Sequence, residues 1–206
     1  MERRELLKLI AVLTGGAVVG GEVFLSGCKT GVKTDAGFTA ANISLLDEIG
    51  ETIIPATHTP GAKAAQVGEF MKIMVTDCYT QAQQDAFMKG ISAIDEACRK
   101  MHGKSFMDCP PEQRHSLLVS LEKEAKEFNK AVEEKDKPKR EEFEKAGKSY
   151  DFVGSPRHYY TMMKQLTLLG FFTSKTGMTE TLRHIAVPGK FDGAYPYTKG
   201  EKAWAE

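Results

Sequence analysis

What confines this chain most is a pattern that repeats along it: apolar residues return every three or four positions, and each run is closed by proline or glycine. Such spacing lays the apolar side chains along one stripe of an α-helix. Leu45, Leu46, Ile49, Ile53 and Ile54 make the first stripe, predicting a helix over about 42–54 that Pro55 ends. Thr57 to Gly61 reads as a turn, with His58 a solvated loop residue. A second helix over about 62–77 turns Val67, Phe70, Met71, Met74 and Val75 inward. Thr80 with Gln83 forms a capping box for a third, whose stripe of Phe87, Ile91, Ile94, Cys98 and Met101 stops at Gly103. Asp108, Pro110 and Pro111 open a fourth, which carries Leu117, Leu118, Leu121, Ala125 and Phe128. Ser155 and Pro156 open the last long helix, with Tyr159, Met162, Met163, Leu166 and Leu169 inward, and a short helix comes after it at about 178–184. No alternation of apolar and polar residues marks a strand or hairpin. The expected fold is all-α, a single antiparallel-style bundle of five to six helices over 42–206 with an irregular aromatic tail.

Residues 129–150 interrupt that pattern with a run dominated by charge. It reads as a solvated insertion too polar to join a core, with Pro138 breaking any continuous helix. The balance of 28 basic against 28 acidic residues gives no global field to attract nucleic acid.

The first 28 residues read as an address. Arg3 and Arg4, followed by Leu6, Leu7 and Lys8, have the make-up of a twin-arginine export signal. The weakly apolar run after them holds Gly15, Gly16, Gly20, Gly21 and Glu22, a poor membrane span. Leu25-Ser26-Gly27-Cys28 resembles a lipobox, in which cleavage leaves Cys28 as a lipidated first residue on the periplasmic side of a bacterial membrane. Its acyl chains would anchor the protein, each buried methylene contributing about 0.8 kcal/mol. Residues 29–41 form a polar, flexible tether.

The far end cannot look after itself. From Gly177 onward Pro188, Gly189, Gly193 and Pro196 rule out a long helix or a central strand, yet Phe191, Tyr195, Tyr197 and Trp204 supply bulky rings. An aromatic coil without a ladder of its own must rest on the body of the protein or on a second chain. The run from Gly170 to Gly193 resembles the C-terminal signature of the gluconate 2-dehydrogenase subunit 3 family. Gly170, Phe171, Phe172, Thr173, Ser174, Gly177, Leu182, His184, Pro188, Gly189, Phe191 and Gly193 meet its pattern. The stretch from Leu45 to Phe70, with its Ile-Ile-Pro stop and Thr-Pro-Gly-Ala link, resembles the family's first helix and turn.

The resemblance implies a non-catalytic small subunit of a membrane-associated, flavin-dependent sugar or polyol dehydrogenase. FAD would sit in the large partner subunit and none in this chain; some members of the family add a cytochrome c subunit. This subunit would carry the folded partner through the export route, support its fold and hold it at the membrane. The docking surface is expected at Phe171, Phe172, Thr173, Gly177, Leu182, Arg183, His184, Pro188, Gly189, Phe191 and Gly193. The competing expectation is a freestanding helical envelope lipoprotein that binds a small ligand or a cell-envelope component.

The residues offer little to an enzyme. There is no G-x-G-x-x-G phosphate turn and no C-x-x-C-H haem site. Histidines 58, 102, 115, 158 and 184 are scattered with no i, i+4 pair, so no metal site is expected. His158 with Tyr159 and Tyr160 reads as a helix-surface group near an interface. Beyond Cys28 stand Cys78, Cys98 and Cys109. Cys98 and Cys109 flank a helix turn: they could bridge if the turn folds back, or remain buried thiols.

Overall fold

The computed structural model describes residues 37–187, 189 and 192–205, within one compact unit that spans Asp35–Glu206. Its helices are α1 (Ala40–Ile53), α2 (Val67–Cys78), α3 (Gln81–His102), α4 (Pro111–Lys145) and α5 (Tyr159–Thr173). Short 3₁₀ turns occupy Ala62–Ala65 and Ser149–Asp151. The fold is the all-α bundle that the stripes require.

α5 is the axle. It packs on α1, α2, α3 and α4, and its sequence is apolar on most sides for that reason. Tyr160, Met162, Met163, Leu166, Thr167, Gly170 and Phe171 are buried on it. The Thr167 hydroxyl donates to the Met163 carbonyl at 2.9 Å, so burying it costs little. α3 comes so close to α5 that a Cβ on Gly90 would lie 2.3 Å from Cβ of Tyr159. Around this axle Leu46, Ile49, Val67, Met71, Val75, Phe87, Ile94 and Leu117 are essentially free of solvent.

Ends and joints obey their caps. α1 begins two residues before its expected start because Thr39 and Asn42 form a reciprocal capping box, with Thr39 Oγ1 accepting from the Asn42 N–H at 3.2 Å. The end of the expected tether also joins the body, since Phe38 is buried and its ring lies 6.1 Å from that of Phe87. Thr80 and Gln83 cap α3 as the sequence predicts, and Gly103 ends it in the left-handed region at φ 74°. Arg114 ties three pieces together: it pairs with Glu48 of α1 and donates to the carbonyls of Phe106 at 3.0 Å and Met107 at 2.8 Å. Burial works against charge on Glu48, but Lys63 and Arg114 outweigh it and hold its carboxyl below the ordinary range.

Several expectations give way. The charged run is not broken at Pro138: α4 is 35 residues long and continues through it. A proline forfeits one backbone hydrogen bond, at a cost of about 3 kcal/mol. The flanks, rich in Glu and Lys, are good helix formers, and contacts on either side hold them in register. Arg140 pairs with Glu133 at 3.7 Å, Phe143 meets Phe152 edge-on at 5.8 Å, and buried Asp136 accepts from both the N–H and the hydroxyl of Ser155. That last pair also explains why Ser155 does not open α5. His158 caps it instead, Nδ1 accepting from the Tyr160 N–H at 3.3 Å. Asp108 caps nothing either; its carboxylate accepts from the Ser105 hydroxyl, while Pro110 stands at the N-cap and Pro111 at the first helical position. Met101, Phe128 and Leu169 face solvent rather than the core.

The region after α5 is also more ordered than a coil. The expected short helix is a π-turn over Gly177–Thr181. Beyond it Arg183–His184 (β1) pairs in parallel with Trp204–Ala205 (β2), in the register Arg183 to Trp204 and His184 to Ala205. The tail thus has a ladder, though one only two residues long, and periodicity cannot announce so short a strand.

Candidate functional site

The outward side of α5 and the tail beyond it both carry exposed apolar side chains. With the inner positions committed to the core, Leu168, Leu169 and Phe172 fall on the opposite side and stay exposed, Phe172 at 39%. These three are a second apolar stripe at the same 3–4 spacing, and only one stripe of the helix can face the bundle. That spacing is the sequence signal for the outer stripe. It is masked because Leu169 also falls in step with the inner residues Met162 and Leu166.

The helix then stops and reverses. The Thr173 hydroxyl donates to the Leu169 carbonyl at 2.7 Å and the Ser174 hydroxyl to the Phe171 carbonyl at 2.7 Å. Ser174 Oγ also accepts from the Gly177 N–H at 2.9 Å. The chain folds back so tightly that a Cβ on Gly177 would sit 2.0 Å from the Phe171 carbonyl oxygen. Thr173, Ser174 and Gly177 therefore have a structural role: they aim the tail.

Arg183 organises the tail itself. Its N–H donates to the Ala203 carbonyl at 2.8 Å, closing the ladder. The guanidinium donates to the Tyr195 hydroxyl at 2.8 Å, pairs with Glu201 and lies 4.6 Å from the centre of the Trp204 ring. Tyr195 meets Trp204 edge-on at 5.7 Å. Lys202 reaches back to the Glu180 carbonyl. One cation thus gathers a tyrosine, a tryptophan and a carboxylate, while both rings keep about half their surface in water. Ile185, Tyr195 and Trp204 are exposed, as are Val187 at 80% and Tyr197 at 87%.

The residues expected at a docking surface fall into three groups. Phe171 and Gly177 are buried within this chain, Leu182 and Arg183 are half-buried, and Phe172, Thr173, His184, Gly189 and Gly193 are exposed. Pro188 and Phe191, like Arg3, Arg4 and Cys28, lie outside the described residues. Ile185, Val187, Leu168 and Leu169 extend the exposed surface beyond the expected set.

Other features of the molecule offer less to chemistry. Two shallow grooves of about 340 and 260 Å³ lie side by side between α4 and α5, both lined by Glu122, Lys126, Tyr160 and Lys164. Glu122 is already engaged there by Lys164 and by Lys126 at 3.8 Å, and the Lys164 bond above all holds its carboxyl below the ordinary range. Burial pushes the Tyr160 phenol up to about 12. His158 is buried against Phe128 and Tyr159, and desolvation lowers its pKa while Glu124, 3.7 Å away, opposes the shift. Among the described residues no group of three or more His, Cys, Asp or Glu is placed to hold a metal ion, and no helix is long and apolar enough to cross a membrane.

The sequence profile of the family described as gluconate 2-dehydrogenase subunit 3 matches residues 40–189, from the first turn of α1 to the exposed Gly189. The chain matches no curated protein and no solved structure.

Proposed function

As this chain belongs to the gluconate 2-dehydrogenase subunit 3 family, we propose that it is the non-catalytic small subunit of a flavin-dependent sugar or polyol dehydrogenase, and that α5 and the tail are its docking face. One observation carries the docking claim. Leu168, Leu169 and Phe172 on the helix, with Ile185, Val187, Tyr195, Tyr197 and Trp204 beyond it, leave apolar and aromatic side chains in water along the last 40 or so residues. Aromatic residues and arginine are what the centres of protein interfaces favour. Arg183 already holds two of these rings in place, which lowers the entropy lost on binding.

The large subunit would hold FAD and oxidise a hydroxyl. This chain would take it through the twin-arginine route on Arg3 and Arg4 and fix it to the periplasmic face of the membrane through lipidated Cys28. That route accepts folded cargo, so a flavin-loaded partner without a signal of its own would cross while bound. The test is affinity purification of the full chain from membranes in mild detergent, followed by an absorbance spectrum. A co-purifying chain with flavin bands is expected. A monodisperse monomer free of flavin would overturn the assignment.

A further inference from the structure

Two thiols at the junction of α3 and α4 point to a modification site. Cys98 lies near the end of α3 and Cys109 just before α4, eleven positions apart, and both are buried in the apolar core. Their sulfurs face one another at 3.3 Å, in a contact that either thiol can donate. Neither sulfur holds the other there. The loop between them is fixed by bonds of its own: the Phe106 N–H donates to Asp95 at 2.9 Å, Arg114 grips the carbonyls of Phe106 and Met107, and the Cys109 N–H donates to the Phe106 carbonyl at 3.3 Å. Gly103 turns the chain at φ 74° and bonds back to the Arg99 carbonyl at 2.8 Å. The two side chains are therefore preset to within little more than about 1 Å of the roughly 2.05 Å of a covalent bond. Cys78, by contrast, is exposed at the end of α2.

We propose that Cys98 and Cys109 form an intrachain disulfide when the protein meets an oxidising disulfide, stapling the end of α3 to the start of α4. The exchange balances. One cysteine thiolate attacks the oxidant's disulfide and releases one oxidant thiolate. The second cysteine, as thiolate, then displaces the other oxidant sulfur from the mixed disulfide. The chain loses two hydrogens and the oxidant gains them as two thiols. Burial above all pushes the Cys98 thiol up, so in the closed structure it offers little thiolate. The bond forms as the 103–110 loop opens or before it has closed, and once made it is sheltered from reductants. Its readout is covalent and does not depend on the partner proposed above.

Fully reduced full-length chain is incubated with oxidised glutathione, with and without mild denaturant. Free thiols are then alkylated under denaturing conditions and the protein is digested with trypsin. The expected product is lighter by two hydrogens, links peptides 90–99 and 105–114, leaves Cys78 alkylated, and forms faster when denaturant opens the loop. The oxidised chain should melt about 5–10 °C above the reduced one. Cys98→Ala and Cys109→Ala should each abolish the link and the melting difference, whereas Cys78→Ala should keep both. Complete alkylation of Cys98 and Cys109 after oxidation, a bridge that recruits Cys78, or a linked form with no gain in melting temperature would each overturn the proposal. The redox comparison on the unsubstituted chain decides alone if an alanine variant fails to fold.

Discussion

The body and the tail of this protein are held together in opposite ways. In the body, α1 to α4 turn their apolar stripes onto the inner side of α5, and stability comes from area removed from water, at about 25 cal/mol per Å². In the tail, polar groups do the holding. Two hydroxyls and a glycine reverse the chain, one arginine gathers Tyr195, Glu201 and Trp204, and a two-residue ladder closes the loop. The rings in the tail stay exposed. Such a region secures itself with its few polar groups and leaves its apolar ones in water, which is the feature the proposed docking role rests on.

Substitutions should separate the two regimes. The largest effect is expected in the body: Phe87→Ala empties a fully buried site and should cost about 3–5 kcal/mol in thermal or denaturant unfolding. The same truncation at Tyr197 should change stability by no more than about 0.5 kcal/mol. At the proposed docking face the ranking should reverse. Phe172→Ala or Tyr197→Ala should weaken association by about 2–4 kcal/mol where the ring is an anchor, roughly 30- to 1,000-fold in Kd, with the fold intact by circular dichroism. Gly177→Ala should cost about 1–3 kcal/mol, because its methyl group would press on a backbone carbonyl. Hydrogen exchange should rise from residue 177 onward and stay unchanged in α1 to α3. Uniform loosening across the chain would break the proposed independence of the two regions.

The smallest effect is a pH dependence at the start of α5. His158 is neutral when it caps the helix, and burial holds its folded pKa below the unfolded value. As pH falls through about 6.5 the unfolded chain takes up a proton that the folded chain does not, so stability declines, then levels off once the folded histidine is also charged. The cap is of order 1 kcal/mol, a fall in Tm of about 2–4 °C in a chain this size. Glu48 acts in a different window. Its folded pKa is depressed, so its contribution is present above about 4.5 and lost as pH falls below that. His158→Asn should remove the upper step alone in a melting series; persistence of that step would assign it to another group.

The body is more legible in the sequence than the tail for a physical reason. A helical stripe is local and periodic, so Leu45 to Ile54 or Phe87 to Cys98 can be read without knowing what lies opposite. Three local signals are overruled by other contacts. Ser155 looks like a cap but is captured by Asp136, 19 residues away. Pro138 looks like a stop, yet charged helix-forming flanks and contacts across it carry α4 through. Asp108 stands where a cap belongs and bonds within its own turn. The β1–β2 pair joins residues about twenty positions apart over two residues each, too short for any alternation to show. In the tail, residue identity marks the aromatic segment, but how Tyr195 and Trp204 are held depends on Arg183, and that arrangement exists only once the chain has folded back.

The most direct test of the docking claim is oxidative footprinting of aromatic side chains, comparing the purified chain alone with the complex extracted from membranes in mild detergent. Phe172, Tyr195, Tyr197 and Trp204 should label readily in the free chain and become protected in the complex, while Phe128, exposed on α4, labels equally in both. Equal labelling of the four rings in the two samples, with a flavoprotein bound, would place the contact elsewhere and contradict the account.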